Sequence, residues 1–290
     1  MTAHARAPYL LLASAILSAA GSRAGAQDNL RTLEISRQLH DSGGLEVRVQ
    51  YGLGRLDLRA ADARTLYQLN LRYDAERAEP LHDFDQSART LRIGLRKQSM
   101  SIPGETKAND MRLDLARGVP LDLSLDFGAV EADLDLSGLT IERMRVQSGA
   151  SDATLRFDTL NPGRMRALEL HGGAAHLKAL RLANANADNI SVQAGVGSVE
   201  LDFGGQWSQD IDLDVQVALG DVRVRVPREV GVRVEASKFL AGLDLHGLQK
   251  RGGAYYSENY DSAPYKLRVR TQTTLGSFEL TRRGDERGRD

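Results

Sequence analysis

Apolar and polar residues alternate along most of this chain, and the alternation restarts at small residues. Three stretches show it most plainly: Gly128-Ala-Val-Glu-Ala-Asp-Leu-Asp-Leu136, Gly149-Ala-Ser-Asp-Ala-Thr-Leu-Arg-Phe157 and Gly195-Val-Gly-Ser-Val-Glu-Leu-Asp-Phe203. In each, apolar side chains fall four, six and eight positions after the glycine. A period of two puts them on one face of a β-strand. Aligned on this ladder, the anchors are Gly52, Gly128, Gly149, Gly173, Gly195, Ala218, Phe239 and Thr274, and from Gly128 to Phe239 they stand 21 to 24 residues apart. A steady interval of that size is the mark of stacked coils, each repeat lying over the one before. The +4 and +6 positions from Gly128 to Phe239 are all apolar, Leu134, Leu155, Leu201 and Val224 among them.

A second alternating run precedes each anchor, as in Leu121-Asp-Leu-Ser-Leu-Asp-Phe127 and Ile211-Asp-Leu-Asp-Val-Gln-Val217. One repeat therefore reads as strand, turn, strand, corner. Gly52, Gly54, Gly128, Gly149, Gly173, Gly195, Gly197 and Gly220 supply the turns. Corners carry the residues that favour chain reversal, as in Asn161-Pro162-Gly163, Gly204-Gly205 and Pro227. Helical periodicity is nearly absent, with residues 61–67 its best candidate. The expected fold is all-β: a β-solenoid, or single-stranded β-helix-like stack of two-strand repeats about 21–24 residues long with terminal caps.

The ends differ from the middle. Residues 1–26 have the form of a secretory signal peptide: Arg6, an apolar core around Tyr9-Leu-Leu-Leu-Ala-Ser-Ala-Ile-Leu17, and Ala24-Gly25-Ala26 as a cleavage site. Residues 27–110 read as an N-terminal β segment that starts or caps the stack, with a loop over 97–110. Residues 111–250 hold the regular repeats. Residues 251–281 read as a Tyr-rich C-terminal capping hairpin, because an open solenoid end exposes unpaired backbone and would pair edge-to-edge with another chain. Residues 282–290, charged and glycine-rich, read as a disordered tail.

Charge narrows the partners. Removing residues 1–26 takes away Arg6 and Arg23, leaving 36 basic residues against 39 acidic, a net of −3. No basic face suits nucleic acid. The chain has no cysteine, so no disulfide framework supports it. No later apolar run is long enough to cross a membrane as a helix.

These strand repeats resemble the toast-rack family of bacterial cell-envelope proteins, which includes the C-terminal domains of envelope-stress and cell-wall-antibiotic-response proteins and related adhesin domains. The resemblance rests on Tyr51-Gly-Leu-Gly-Arg-Leu-Asp-Leu58, on Gly118-Val-Pro-Leu-Asp-Leu-Ser-Leu-Asp-Phe-Gly128 and Leu134-Asp-Leu-Ser-Gly-Leu139, and on an ending made of Val226-Pro-Arg-Glu-Val-Gly-Val-Arg-Val234, the Tyr-rich 253–260 segment and Leu275-Gly-Ser-Phe278. It spans about residues 45–280. The chain departs from the family's glycine pattern at Val130, Ser151 and Ala175. The resemblance implies an all-β, coil-like fold, a non-enzymatic role at the envelope and no known catalytic residue; no cofactor is expected.

Candidate chemistry is sparse. His171 and His176 form the only close histidine pair, and five residues along a strand turns them to opposite faces. Carboxylates recur in pairs, as in Asp133 and Asp135 or Asp212 and Asp214, at a spacing compatible in principle with a polysaccharide hydrolase or lyase on a β-helix. Their place in the polar half of the alternation, beside Arg156, Arg223 and Arg225, makes a solvated charge ladder the simpler reading. Asn184, Asn186, Asp188 and Asn189 fit corner chemistry better than a cation site. Tyr255, Tyr256, Tyr260 and Tyr265, four of the eight tyrosines within eleven residues, form the candidate binding surface, with capping of the last coil as the other role open to them. The expected molecule is an exported, periplasmic or cell-surface structural or binding module. Its partner is an envelope protein or glycan.

Overall fold

Sixteen strands form one continuous sheet in the computed structural model, which describes residues 30–96, 109–237 and 242–283. The proposed signal peptide lies outside the described residues, as do most of the expected 97–110 loop and the anchor Phe239.

The regular part consists of β7 (Pro120–Asp135), β8 (Thr140–Arg156), β9 (Met165–Leu180), β10 (Ala187–Asp202) and β11 (Ile211–Pro227), each parallel to the next. A 16-residue strand spans roughly 50 Å when straight. Yet only four residues, 136–139, carry the chain from the end of β7 to Thr140, which pairs with Pro120 at the start of β7. Four residues reach less than about 20 Å. Each strand must therefore fold back on itself, with its two ends close together and a bend at its middle.

The side-chain phase shows how. In β7, Leu121, Leu123, Leu125 and Phe127 are buried, and then Val130, Ala132 and Leu134. Odd positions give way to even ones across Gly128-Ala129, two successive residues facing out. Reversing the phase at the bend lets both arms point into one interior. Leu58, Leu134, Leu155, Ala179, Leu201, Val224 and Leu280 follow one another in register, and all are essentially inaccessible. The expected stack with a single dry core is what the chain forms. The glycines differ from expectation in one respect. They sit at bends inside ladders that continue on both sides, not at turns that end one strand and begin another.

The order of the stack departs from the order of the chain at both ends. On the N-terminal side β2 (Leu45–Ala60) lies against β7. Its other edge is shared by β5 (Thr90–Arg96) along the first arm and β6 (Asp110–Leu115) along the second. Antiparallel β4 (Glu79–Asp85) covers β5, while β3 (Thr65–Asp74) and then β1 (Leu30–Gln38) cover β6. The suspected helix at 61–67 is a turn leading into β3.

The C-terminal side mirrors this plan. β16 (Lys266–Arg283) slots between β11 and the pair β12 (Gly231–Ser237) and β13 (Gly242–Leu245). A short hairpin of β14 (Leu248–Arg251) and β15 (Ala254–Ser257) closes over β12. Thr274 belongs to the coil next to Ala218, and residues 266–281, expected in a cap, form an interior strand. Arg282 and Arg283, expected in a disordered tail, continue β16. Arg282 donates to the carbonyls of Arg228 and Val230 and to Asn259 Oδ1, pinning the strand's end. Burial lowers the pKa of its guanidinium.

Corners are held by side-chain amides. Asn161, almost fully buried, accepts from Ile141 N–H at 3.0 Å and donates to the carbonyls of Ile141 and Ala185 at 2.7 and 3.1 Å. Asn184 donates to the Phe157 carbonyl and accepts from Gln206 N–H, both at 2.7 Å. Each amide ties three successive coils at the corner edge, beside backbone bonds such as that from Asn161 N–H to the Asn184 carbonyl at 2.7 Å.

Candidate binding surfaces

Three places on the stack concentrate the chemistry: the bends, the outer faces of the two arms, and the C-terminal hairpin.

The bends explain the glycine pattern. A Cβ on Gly173 would lie 2.7 Å from the Gly149 carbonyl oxygen, and one on Gly195 would lie 2.5 Å from that of Gly173. At the third bend position, a Cβ on Gly197, Gly220 or Gly276 would run into the carbonyl of the coil below, and these residues have φ of 140°, 151° and 126°. Coils β7, β8 and β9 carry the glycine first (Gly128, Gly149, Gly173) and a side chain third (Val130, Ser151, Ala175, all buried). Coils β11 and β16 reverse this, with Ala218 and Thr274 first and Gly220 and Gly276 third. β2 and β10 have both, as Gly52 with Gly54 and Gly195 with Gly197. The departures from the family pattern are thus one of two ways to make the same bend.

Between those positions stands one exposed residue per coil. Leu53, Ala129, Ala150, Ala174, Val196, Leu219 and Leu275 pair in register from β2 to β16. Leu53, Val196, Leu219 and Leu275 are the exposed large hydrophobic residues among those described, at 37 to 50%. Sequence reading missed this column, although it stands one residue after each aligned anchor.

The outer faces hold the carboxylates. Asp133 accepts from Arg156 at 3.0 Å, Glu131 from Arg55 at 2.8 Å, and Asp212 from Arg268 at 2.7 Å. Asp135 accepts from Ser137 N–H in the corner turn. The bond to Asp212, joined by one to Asp210, raises the Arg268 pKa. Exposed pairs of this kind contribute about 0–1 kcal/mol each. His171 faces out from the first arm of β9 and His176 from the second, where its Nδ1 meets Ser198 Oγ at 2.8 Å. The described residues contain no group of three or more His, Asp or Glu side chains placed to hold a metal ion.

The four tyrosines do not form one surface. Tyr256 and Tyr260 meet edge to face, with ring centroids 5.1 Å apart. Tyr255, next to Tyr256 on a strand, points to the opposite side and packs on the core with Lys250 over its ring. Tyr265 stacks on Trp207 at the corner edge. The rings of the first pair are already occupied. Arg251 lies 4.8 Å from the Tyr256 centroid, and Arg233 donates to its hydroxyl at 3.1 Å, a bond that raises the arginine's pKa.

Two family models tile this architecture. The N-terminal domain of toast_rack, DUF2154, matches residues 25–163. Cell wall-active antibiotics response LiaF, C-terminal, matches residues 179–280. The chain belongs to the toast-rack family. The first match covers β2 with its cap and the coils to β8, and the second runs from β10 to the inserted strand β16. Solved structures similar to this toast-rack chain include a putative cell adhesion protein from Clostridium sporogenes (14% identity, 87% of this chain and 100% of that one, TM-score 0.44). Others are a putative adhesin from Bacteroides fragilis (13%, 87% and 97%, TM-score 0.41) and a putative lipid binding protein from Parabacteroides distasonis (9%, 88% and 98%, TM-score 0.33). None of the three carries a function over to this chain. No curated protein matches it. Among the described residues, no helix is long and apolar enough to cross a membrane.

Proposed function

We propose that this toast-rack chain is an exported, non-catalytic binding module of the bacterial cell envelope. In this reading residues 1–26 direct export, and the stack with its two caps is the working unit. The observation that carries it is the register of the coils. Outward side chains recur in columns, about 4.8 Å from one coil to the next, on a scaffold whose core runs unbroken beneath them. Such a surface recognises an extended partner by repetition. The match to a cell wall-active antibiotics response domain favours a place in the envelope's response to damage.

The carboxylates support a non-catalytic role. Asp133 is paired with Arg156 and Asp135 caps a corner turn. Asp133 stands in an open groove among Arg55, Glu131 and Arg156, and Asp135 lies outside it. The tyrosines, sheathed by arginine and lysine, serve the cap in this reading.

The test is retention of the purified mature chain on isolated envelope fractions, with turnover of cell-wall and capsular glycans followed in parallel. Saturable retention without turnover is expected. Loss of retention on every fraction, or turnover abolished by Asp133→Asn, would overturn the reading.

A further inference from the structure

Resting on that reading, we propose that the groove beside the bend of β9, β10, β11 and β16 binds a neutral glycan chain laid along the stack. One wall is a ladder of amides. Gln193, Gln216 and Gln272 stand in register, continued by His171 and Gln147. The floor is Gly173, Gly195, Ala218 and Thr274, almost without side chains. The exposed aliphatic column Val196, Leu219 and Leu275 does not line this groove; it stands one position further along each strand. The groove is open and has a volume of about 550 Å³.

Charge identifies the ligand class. Charged residues make up 27% of the chain. Across the five positions from the amide to the third bend residue, in seven successive coils, Asp126 is the only one. An acidic or basic polymer finds no counter-charge there. An extended peptide needs an open strand edge, and here β9, β10 and β11 are paired on both sides. A lipid chain needs apolar walls and meets a ladder of amides. A neutral sugar fits: its hydroxyls, like the amides, donate and accept, while its C–H face lies on the floor of small residues.

The amides are free to act. Gln147, Gln193 and Gln272 are exposed and make no side-chain hydrogen bond among the described residues, and Gln216 bonds only Asp214. The strand ladder spaces these groups evenly, so a linear ligand meets the same amide wall at every coil.

The probes are chito- and cello-oligosaccharides of increasing length, titrated calorimetrically into the full mature chain, with polygalacturonate as the acidic control. Saturable binding that strengthens with length is expected for a neutral series. Its affinity should change less than about two-fold between 0.05 and 0.5 M salt, because no ion pair is screened. The double change Gln193→Leu and Gln216→Leu, on exposed positions of intact strands, should weaken it at least about ten-fold. Tyr256→Phe, on the hairpin, should leave it unchanged. Absence of binding across both neutral series, binding indifferent to the double change, or preference for the acidic polymer would each overturn the assignment. If envelope retention persists while neutral glycans fail to bind, only this site is refuted; if both fail, the module reading falls too.

Discussion

Gly220 shows how much one hydrogen atom in place of a methyl group decides. Its φ of 151° and the Gly197 carbonyl above its missing Cβ leave no room for a side chain. Gly220→Ala should lower unfolding free energy by about 3 kcal/mol, seen as a shifted urea midpoint. Gly118→Ala, at a turn with φ of 70° but open space around it, should cost only the left-handed strain, about 1–2 kcal/mol. Equal shifts for the two would refute the role given to the bend. Asn161 is the corner's counterpart. Asn161→Ala strands the Ile141 N–H and carbonyl inside the protein and should cost about 3 kcal/mol. Asn189→Ala, at an exposed position, should stay within about 0.5 kcal/mol. The sequence marks Asn161 as a turn residue. What it does not display is the reach of that amide to two neighbouring coils.

At the scale of elements, alternation revealed each arm, because a sheet face against a core imposes period two on the residues that make it. The +4 and +6 columns were legible for the same reason. The −2 and +1 columns carried an equally plain signal in their glutamines and aliphatics, but outward positions are usually read as solvent-facing filler. The tyrosines misled because nearness in sequence is not nearness on a strand: Tyr255 and Tyr256 are neighbours facing opposite ways. The N-terminal cap carries a pH-sensitive contact. His82 Nε2 shares a 2.9 Å hydrogen bond with the Tyr67 hydroxyl. Burial lowers its pKa below 6.5, with Arg37 acting in the same sense against Asp83. The unfolded chain therefore takes up this proton first. The stabilisation is complete above about pH 6.5 and is lost as pH falls through the lower, folded value. Thermal melts should show a drop below pH 6.5 that shrinks in His82→Phe; an unchanged slope would exclude this histidine as the cause.

For the molecule as a whole, a single core implies that damage in the middle is not local. Leu201 is inaccessible between Ala179 and Val224. Leu201→Asp buries an unpaired carboxylate and should abolish the cooperative transition, leaving no folded signal by near-UV circular dichroism at 25 °C. Leu243→Asp, on the short outer strand β13, should keep the stack folded with a modest loss. Retained cooperative melting in the first variant would mean that the coils do not share one interior. Stack order was the part least open to sequence reading. β16 has the same alternation as its neighbours, and nothing local distinguishes a strand that ends a row from one that enters it.

That placement bears on how the protein is made. Residues 266–283 fill a vacancy flanked by segments synthesised earlier, so the row can close only after this strand has been made. A premature stop before Lys266 would not trim the far end of the protein; it would leave a gap in its middle, with both lips unpaired and ready to accept the same strand from a neighbouring molecule.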